Sequence, residues 1–121
     1  MSKILVVDDD AGIREVLHYL LTEEGFYVQT ACNGGEALAI LQHESGWLIL
    51  LDLMMPGLDG RAVLTYLHVH PTLLTGNTVI LMSATTRSTP DYQALLAGVT
   101  AELPKPFDLE QVLALVHSLV A

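Results

Sequence analysis

The chain has few positive charges, one cysteine and no long apolar run, and each shortage excludes a class of protein. Five lysines and arginines stand against 14 aspartates and glutamates, which gives a formal net charge of −9. Because nucleic acid phosphates require a basic face, we expect no direct binding to DNA or RNA. The lone Cys32 cannot form an internal disulfide, which fits a reducing compartment.

No apolar run approaches the roughly 18 residues of a membrane-spanning helix, and the apolar stretch near the N-terminus is too short for a signal peptide. We therefore expect a cytoplasmic protein without membrane association. Instead, 51% of the 121 residues are hydrophobic, which excludes a disordered chain. This length predicts one domain, residues 1–121, with a single core.

Short apolar runs rich in β-branched residues alternate with segments of helical period. The predicted strands are residues 3–7, 27–31, 47–51, 78–82 and 101–103. The predicted helices are residues 13–21, 35–44, 61–68, 89–98 and 108–120. Strands that alternate with helices in this way indicate a parallel sheet covered on both faces. The predicted fold class is therefore α/β, a single doubly wound (βα)5 domain, for which we take the common strand order 2-1-3-4-5.

Reactive side chains follow four of the five predicted strands. They are Asp8, Asp9 and Asp10 after the first, Asp52 after the third, Ser83 after the fourth, and Lys105 just past the fifth. In an open parallel sheet, ligands bind beyond the carboxyl ends of the strands, where the strand order reverses. With the order 2-1-3-4-5, the acidic ends of the first and third strands are neighbours at that point.

Clustered carboxylates repel one another, so they either raise each other's pKa or recruit a cation. Mg²⁺ suits such a cluster because it takes oxygen ligands and is commonly held by one or two carboxylates and a phosphate. The Lys105 ammonium and the Ser83 hydroxyl would then contact the phosphate, and Asp52 would be the nucleophile of a phosphoryl-transfer site. Asp10 is interpreted as a helix N-cap, and Asp8 taken alone fits either role.

Four segments carry a resemblance to a known family. They are Ile-Leu-Val-Val-Asp-Asp-Asp at residues 4–10, Leu-Leu-Asp-Leu-Met-Met-Pro-Gly-Leu-Asp-Gly at 50–60, Met-Ser-Ala at 82–84 and Leu-Pro-Lys-Pro-Phe at 103–107. In this order and spacing the whole chain resembles the receiver domain of two-component response regulators. The resemblance implies a flavodoxin-like fold and a phosphorelay signalling switch that is not an enzyme beyond its own phosphorylation and dephosphorylation.

The resemblance also implies a role for each site residue. Asp52 matches the phosphoacceptor, which takes its phosphoryl group from a histidine kinase or a histidine phosphotransfer protein. Asp8 and Asp9 match the acidic pair that holds Mg²⁺, with the Asp52 carboxylate and the Met54 backbone carbonyl as the other protein ligands. Ser83 matches the hydroxyl residue that binds the phosphoryl group, and Lys105, with a cis bond to Pro106, matches the lysine that pairs with it.

Three positions bear on how the switch works. The family usually has Tyr or Phe where this chain has Glu102, and a carboxylate cannot be buried as a ring can without a large desolvation cost. We therefore expect the aromatic half of the switch to be absent, with Ser83 and the segment after it providing the output. Met54 and Thr85 match positions that tune dephosphorylation. Neither is a good general base, so slow self-dephosphorylation is expected.

Two other functions were considered. A haloacid-dehalogenase-like phosphatase also places an Asp-x-Asp pair after its first strand, and Asp8 with Asp10 has that spacing. A flavodoxin-type flavin carrier would bind phosphate after the first strand, where three aspartates would repel it. The output within the receiver interpretation stays open, since the chain could be a stand-alone regulator or part of a longer protein with a downstream output domain.

Overall fold

The computed structural model describes residues 2–53, 55, 60–83, 93–94 and 96–120. The strands are β1 (Lys3–Val7), β2 (Tyr27–Ala31), β3 (Trp47–Asp52), β4 (Thr78–Ser83) and β5 (Val99–Pro104). The helices bounded within these ranges are α1 (Ala11–Glu23), α2 (Gly34–His43), α3 (Gly60–Val69), α4 (Pro71–Thr75) and α5 (Leu109–Leu119). Gln93 and Ala94 are also helical, whereas most of the predicted helix 89–98 lies outside the described residues.

All five strands are parallel and form one sheet in the order β2-β1-β3-β4-β5. The predicted topology is therefore confirmed. The strand order places β1 beside β3 at the point where the chain reverses its direction across the sheet. The ends of these two strands consequently meet at the crevice where such folds bind their ligands.

Alternate residues of the central strands enter two separate hydrophobic cores, one on each face of the sheet. One core contains Leu5, Val7, Ile49, Leu51, Val79 and Leu81, packed against α2 and α3. The other contains Ile4, Val6, Leu48, Leu50, Ile80 and Met82, packed against α1 and α5. Because both faces are covered, the strands are apolar throughout rather than alternating in polarity.

Helix starts follow the capping residues expected from the sequence. The Asp10 carboxylate accepts hydrogen bonds from the Gly12 and Ile13 backbone N–H groups and caps α1. Asp108 caps α5 in a capping box with Gln111. These bonds satisfy backbone donors that have no partner within their helices.

The structure differs from the sequence prediction in two respects. The helix α4 was not predicted, because Pro71 was interpreted as ending α3, whereas it occupies the first turn of a new helix, where proline is favoured. The strands β3, β4 and β5 are also longer than predicted, since Asp52 pairs with Met82 and Ser83 pairs with Pro104. Two of the functional side chains are therefore held by the sheet itself.

None of the described helices has both the length and the apolar character that crossing a bilayer requires.

Candidate functional site

Three carboxylates gather at the carboxyl end of the sheet. One oxygen atom from each of Asp8, Asp9 and Asp52 lies within 4.8 Å of those of the other two. Asp8 directly follows β1 and Asp52 ends β3, and the pairing of Val7 with Leu51 brings them side by side. Asp8 and Asp52 are buried, whereas Asp9 is exposed. The acidic cluster predicted from the sequence is thus formed by the meeting of β1 and β3.

A lysine directly after β5 contacts two of these carboxylates. The Lys105 Nζ donates a hydrogen bond to Asp8 Oδ2 at 2.8 Å and lies 3.5 Å from Asp52 Oδ2. The Lys105 backbone N–H is bonded to the Ser83 carbonyl oxygen at 2.9 Å, and its peptide bond to Pro106 is cis, as the resemblance implied. These contacts tie the end of β5 to the other strand ends.

The electrostatics of the site keep the lysine charged. Burial by itself would lower the pKa of Lys105, but the hydrogen bond to Asp8 and the negative charges of Asp52 and Asp8 outweigh it, so its pKa is raised. Among the residues that the structure describes, three carboxylates gather where this one ammonium contacts two of them, which leaves an excess of negative charge. Hard divalent cations prefer such a set of carboxylate oxygens. The donor set therefore fits Mg²⁺.

The buried Asp8 carboxylate is held from both sides. Its Oδ2 accepts from Lys105, and its Oδ1 accepts from the Asp10 backbone N–H at 2.9 Å. Its backbone N–H also donates to the Ala31 carbonyl at 3.1 Å. Asp8 is consequently fixed in place, whereas the neighbouring Asp9 presents its carboxylate at the open side of the cluster.

Asp10 does not join the carboxylate cluster. Its side chain caps α1, as the sequence predicted, and so is bonded to the first turn of the helix. The Asp-x-Asp pair on which the phosphatase alternative depended is therefore divided between two different tasks. Asp8 belongs to the site, and Asp10 holds the helix.

Ser83 and Glu102 lie at the β4 and β5 side of the site. Ser83 ends β4 and is buried, one residue beyond the Met82 that pairs with Asp52. Glu102 is exposed and pairs with Leu81, whose side chain belongs to the core under α2 and α3. Because paired residues of parallel strands share a face, Glu102 emerges on that same face of the sheet.

Met54 and Thr85, for which roles in tuning dephosphorylation were predicted, lie outside the described residues.

Cys32 directly follows β2 and was interpreted as a small packing residue. Its backbone N–H donates to Glu36 Oε1 at 2.7 Å, and this contact belongs to the first turn of α2. The hydrogen bond between the Glu36 carboxylate and the thiol raises the pKa of Cys32, and desolvation and the charge of Glu36 raise it further. A thiol that stays protonated is a poor nucleophile, which agrees with a packing role.

Two residues that support the site were missed from the sequence. A side chain at Gly60 would overlap the Asp52 carbonyl oxygen and lie 2.8 Å from the Leu53 Cα, so the first turn of α3 can pass β3 only with glycine there. Arg14 Nη1 donates to the Asp8 carbonyl oxygen at 2.8 Å. Arg14 could have been predicted from the sequence on two grounds. Cations are scarce in this chain, and Arg14 lies on the helix that follows the aspartates.

Comparison with known proteins agrees with this geometry. The family model described as the response regulator receiver domain matches residues 4–117. This chain belongs to that family. Receiver domains are signalling switches and are not generally classed as enzymes, and nothing in the comparisons supports the phosphatase alternative.

The receiver domain is 38% identical over 119 residues to the DNA-binding transcriptional regulator NtrC of Salmonella typhimurium. It is also 38% identical over 120 residues to the response regulator MprA of Mycolicibacterium vanbaalenii. Each comparison covers 98% of this chain but 24% of NtrC and 50% of MprA. The chain thus spans between a quarter and a half of the length of these relatives.

Solved structures share the fold over nearly the whole chain. The chemotaxis response regulator CheY4 of Vibrio cholerae superposes with a TM-score of 0.86 at 28% identity and covers 99% of both chains. The response regulator TrrA of Thermotoga maritima, solved in complex with Mg²⁺-BeF, has a TM-score of 0.81 at 31% identity, covering 99% of this chain and 100% of TrrA.

Proposed function

We propose that this receiver domain accepts a phosphoryl group on the Asp52 carboxylate from a phosphohistidine of a histidine kinase or a histidine phosphotransfer protein. The observation that carries the proposal is the joint placement of Asp8, Asp9 and Asp52 within 4.8 Å, with Lys105 paired to two of them. Separately, these residues have ordinary structural roles. Together they are the parts that phosphoryl transfer requires, a carboxylate nucleophile among cation-binding and phosphate-binding groups.

A carboxylate oxygen of Asp52 attacks the phosphorus and forms an acyl phosphate bond. The P–N bond to the donor imidazole breaks and its electron pair stays on that ring nitrogen, while the proton on the other ring nitrogen lets the imidazole leave as a neutral group. The Lys105 ammonium, already within reach of Asp52, and the Ser83 hydroxyl contact the phosphoryl oxygens. Removing these charged contacts from bulk water strengthens them, because the effective dielectric constant is lower there.

Asp9, Asp52 and Asp8 would hold Mg²⁺, with the Met54 carbonyl as a further ligand. When bound, Mg²⁺ neutralises charge on the carboxylates and on the transferred phosphoryl group. In this arrangement the exposed Asp9 carboxylate is accessible to a cation, whereas the Asp8 carboxylate stays bonded to Lys105 and to the Asp10 N–H. Asp8 therefore also keeps the lysine beside the nucleophile.

The experiment that tests the function is incubation with acetyl phosphate and Mg²⁺, followed by mass spectrometry of the intact protein and its peptides. We expect one added phosphoryl group, located on Asp52 and absent from Asp52→Asn. The matched control is Asp10→Asn, which keeps a good capping side chain and removes the carboxylate that the phosphatase alternative needs. Phosphorylation of Asp10→Asn at the wild-type rate is expected. Phosphorylation of Asp52→Asn to the wild-type extent would contradict the proposal.

We further propose that the conformational change of this domain lacks an inward-turning aromatic residue. Glu102, at the position of that residue, is exposed, and moving its carboxylate from water into an apolar environment would carry a large desolvation cost. The switch would then depend on Ser83 and the segment that follows it. Structures with and without a phosphoryl mimic test this, and burial of Glu102 behind Ser83 in the mimic complex would contradict it.

The acyl phosphate is also proposed to be long-lived. Met54 and Thr85 offer no general base to an attacking water, and the methionine side chain would screen the phosphorus. We expect Met54→Asn to shorten the phosphate lifetime because an amide can orient water. A mutant lifetime equal to or longer than that of the wild type would refute this.

The output is proposed to be regulation of a downstream domain or a separate partner protein. The relatives NtrC and MprA are longer than this chain, and NtrC is a DNA-binding transcriptional regulator. With a net charge of −9, the receiver domain itself is poorly suited to contact nucleic acid. Its direct partners would be proteins, and a cytoplasmic location is consistent with a cytoplasmic kinase domain as the donor.

A further inference from the structure

Arg14 connects the helix after the acidic residues to the backbone that carries them. It lies in α1, half-buried, and its Nη1 donates to the Asp8 carbonyl oxygen at 2.8 Å. Its own backbone N–H is bonded to the Asp10 carbonyl at 3.1 Å. The side chain thus spans the turn between β1 and α1, the segment that contains the three aspartates.

The carbonyl oxygen that Arg14 contacts belongs to the peptide unit that joins Asp8 to Asp9. The Asp8 C=O and the Asp9 N–H are parts of one planar group, so fixing that oxygen fixes the direction in which Asp9 leaves the strand. The other polar groups of Asp8 are bonded to Ala31, Asp10 and Lys105. Arg14 therefore completes the set of bonds that immobilises Asp8 and orients the peptide leading to Asp9.

The charge of Arg14 also extends to the neighbouring turn. It lowers the pKa of Glu36, although the hydrogen bonds from the Cys32 N–H and thiol contribute more to that shift. Glu36 in turn holds the Cys32 backbone N–H, directly after the Ala31 whose carbonyl accepts from Asp8. Arg14 thus contacts the turn after β1 directly, and its charge acts on a residue of the turn after β2.

We propose that Arg14 is a positioning residue for the cation-binding and phosphoryl-binding site, which sets the placement of the Asp9 carboxylate relative to Asp52. This inference rests on the proposed function and adds a residue to it. It predicts the direction in which removing Arg14 changes the affinity for Mg²⁺. A positive charge that acted on the site through its field alone would weaken the binding of Mg²⁺, whereas a positioning residue strengthens it.

The test compares Arg14→Gln, Arg14→Lys and Lys3→Gln by isothermal titration calorimetry with MgCl₂. Lys3→Gln is the matched control, because it removes the same charge at the opposite end of β1. Loss of a supporting contact to a metal ligand typically reduces affinity about 10-fold or more, and we expect that loss in Arg14→Gln. Lys3→Gln should bind Mg²⁺ as the wild type does. In the metal-free protein, amide hydrogen exchange of Asp9 and Asp10 should be faster in Arg14→Gln only.

The outcomes separate the two proposals. If the wild type does not bind Mg²⁺, the proposed function fails. If the wild type binds and Arg14→Gln binds equally or more tightly, the positioning role of Arg14 is wrong. Should Arg14→Gln not fold, Arg14→Lys decides, since it keeps the charge but loses the planar guanidinium. Weaker binding by Arg14→Lys supports the role, and wild-type affinity overturns it.

Discussion

Replacing the nucleophile Asp52 by asparagine is expected to make the metal-free protein more stable. The Asp52 side chain is 6% exposed, and one of its carboxylate oxygens lies within 4.8 Å of those of Asp8 and Asp9. At an effective dielectric constant of about 20, two like charges 4.8 Å apart repel by about 3.5 kcal/mol. This repulsion energy applies to the pair of Asp52 with the buried Asp8. For Asp52 with the exposed Asp9, the dielectric constant of water is more suitable and gives a repulsion of about 1 kcal/mol.

Against this repulsion stands the attraction of Lys105. Its Nζ lies 3.5 Å from Asp52 Oδ2, which corresponds to about 5 kcal/mol on the same scale. Attraction and repulsion therefore almost cancel. Removing the Asp52 carboxylate from water costs several kcal/mol for a buried ion, whereas burying the neutral amide of asparagine costs less. We expect Asp52→Asn to raise the free energy of unfolding by about 2 kcal/mol.

The assay is urea denaturation followed by far-ultraviolet circular dichroism, in EDTA and again in excess Mg²⁺. Mg²⁺ should stabilise the wild type by about 2.7 kcal/mol at a concentration 100 times its dissociation constant, and the mutant by less, so the difference shrinks. The control is Glu23→Gln, an exposed carboxylate at the other end of α1, with an expected change within about 0.5 kcal/mol. An Asp52→Asn protein no more stable than the wild type in EDTA would refute the reasoning.

Three further predictions concern the surroundings of the site. Gly60→Ala should lower the free energy of unfolding, measured by urea denaturation, by about 3 kcal/mol because its Cβ would meet backbone atoms. The control Gly35→Ala, whose Cβ would meet only a side chain, should lower it far less. Equal losses in the two variants would contradict this. Lys105→Met should cost roughly 3 kcal/mol at neutral pH. The pKa of Lys105 is raised in the folded protein, so the stability that its charge contributes is complete below the ordinary value of 10.5. That stability is lost as the pH rises through the folded pKa. A pH series of denaturation curves should therefore show the mutant losing less stability than the wild type above that pH. Glu36→Gln should lower the pKa of Cys32 and speed its alkylation by iodoacetamide at mildly alkaline pH, and an unchanged rate would argue against their hydrogen bond.

The sequence predicted the strands and the residues at their carboxyl ends, because these depend on short-range patterns. Apolar runs determine which segments are buried, and Asp8, Asp52, Ser83 and Lys105 each come directly after such a run or close to it. The capping role of Asp10 was predicted on the same basis, from its place before an apolar helical stripe.

Other features depend on contacts that no local pattern encodes. The short helix α4 has too few residues to display a period. The requirement for glycine at position 60 arises because α3 passes against the backbone at the end of β3, a packing distance that exists only in the folded chain. The exposure of Glu102 on one face likewise follows from its pairing with Leu81.

The sequence by itself thus determined the family, the α/β class and the identity of the acidic residues and the lysine. The tertiary structure decided how the three aspartates divide their tasks: Asp8 is buried and bonded to Lys105, Asp9 is exposed and Asp10 caps a helix. Three adjacent residues of one type are equivalent in a sequence. They become different when the chain turns from strand to helix, because that turn places each carboxylate in a different environment.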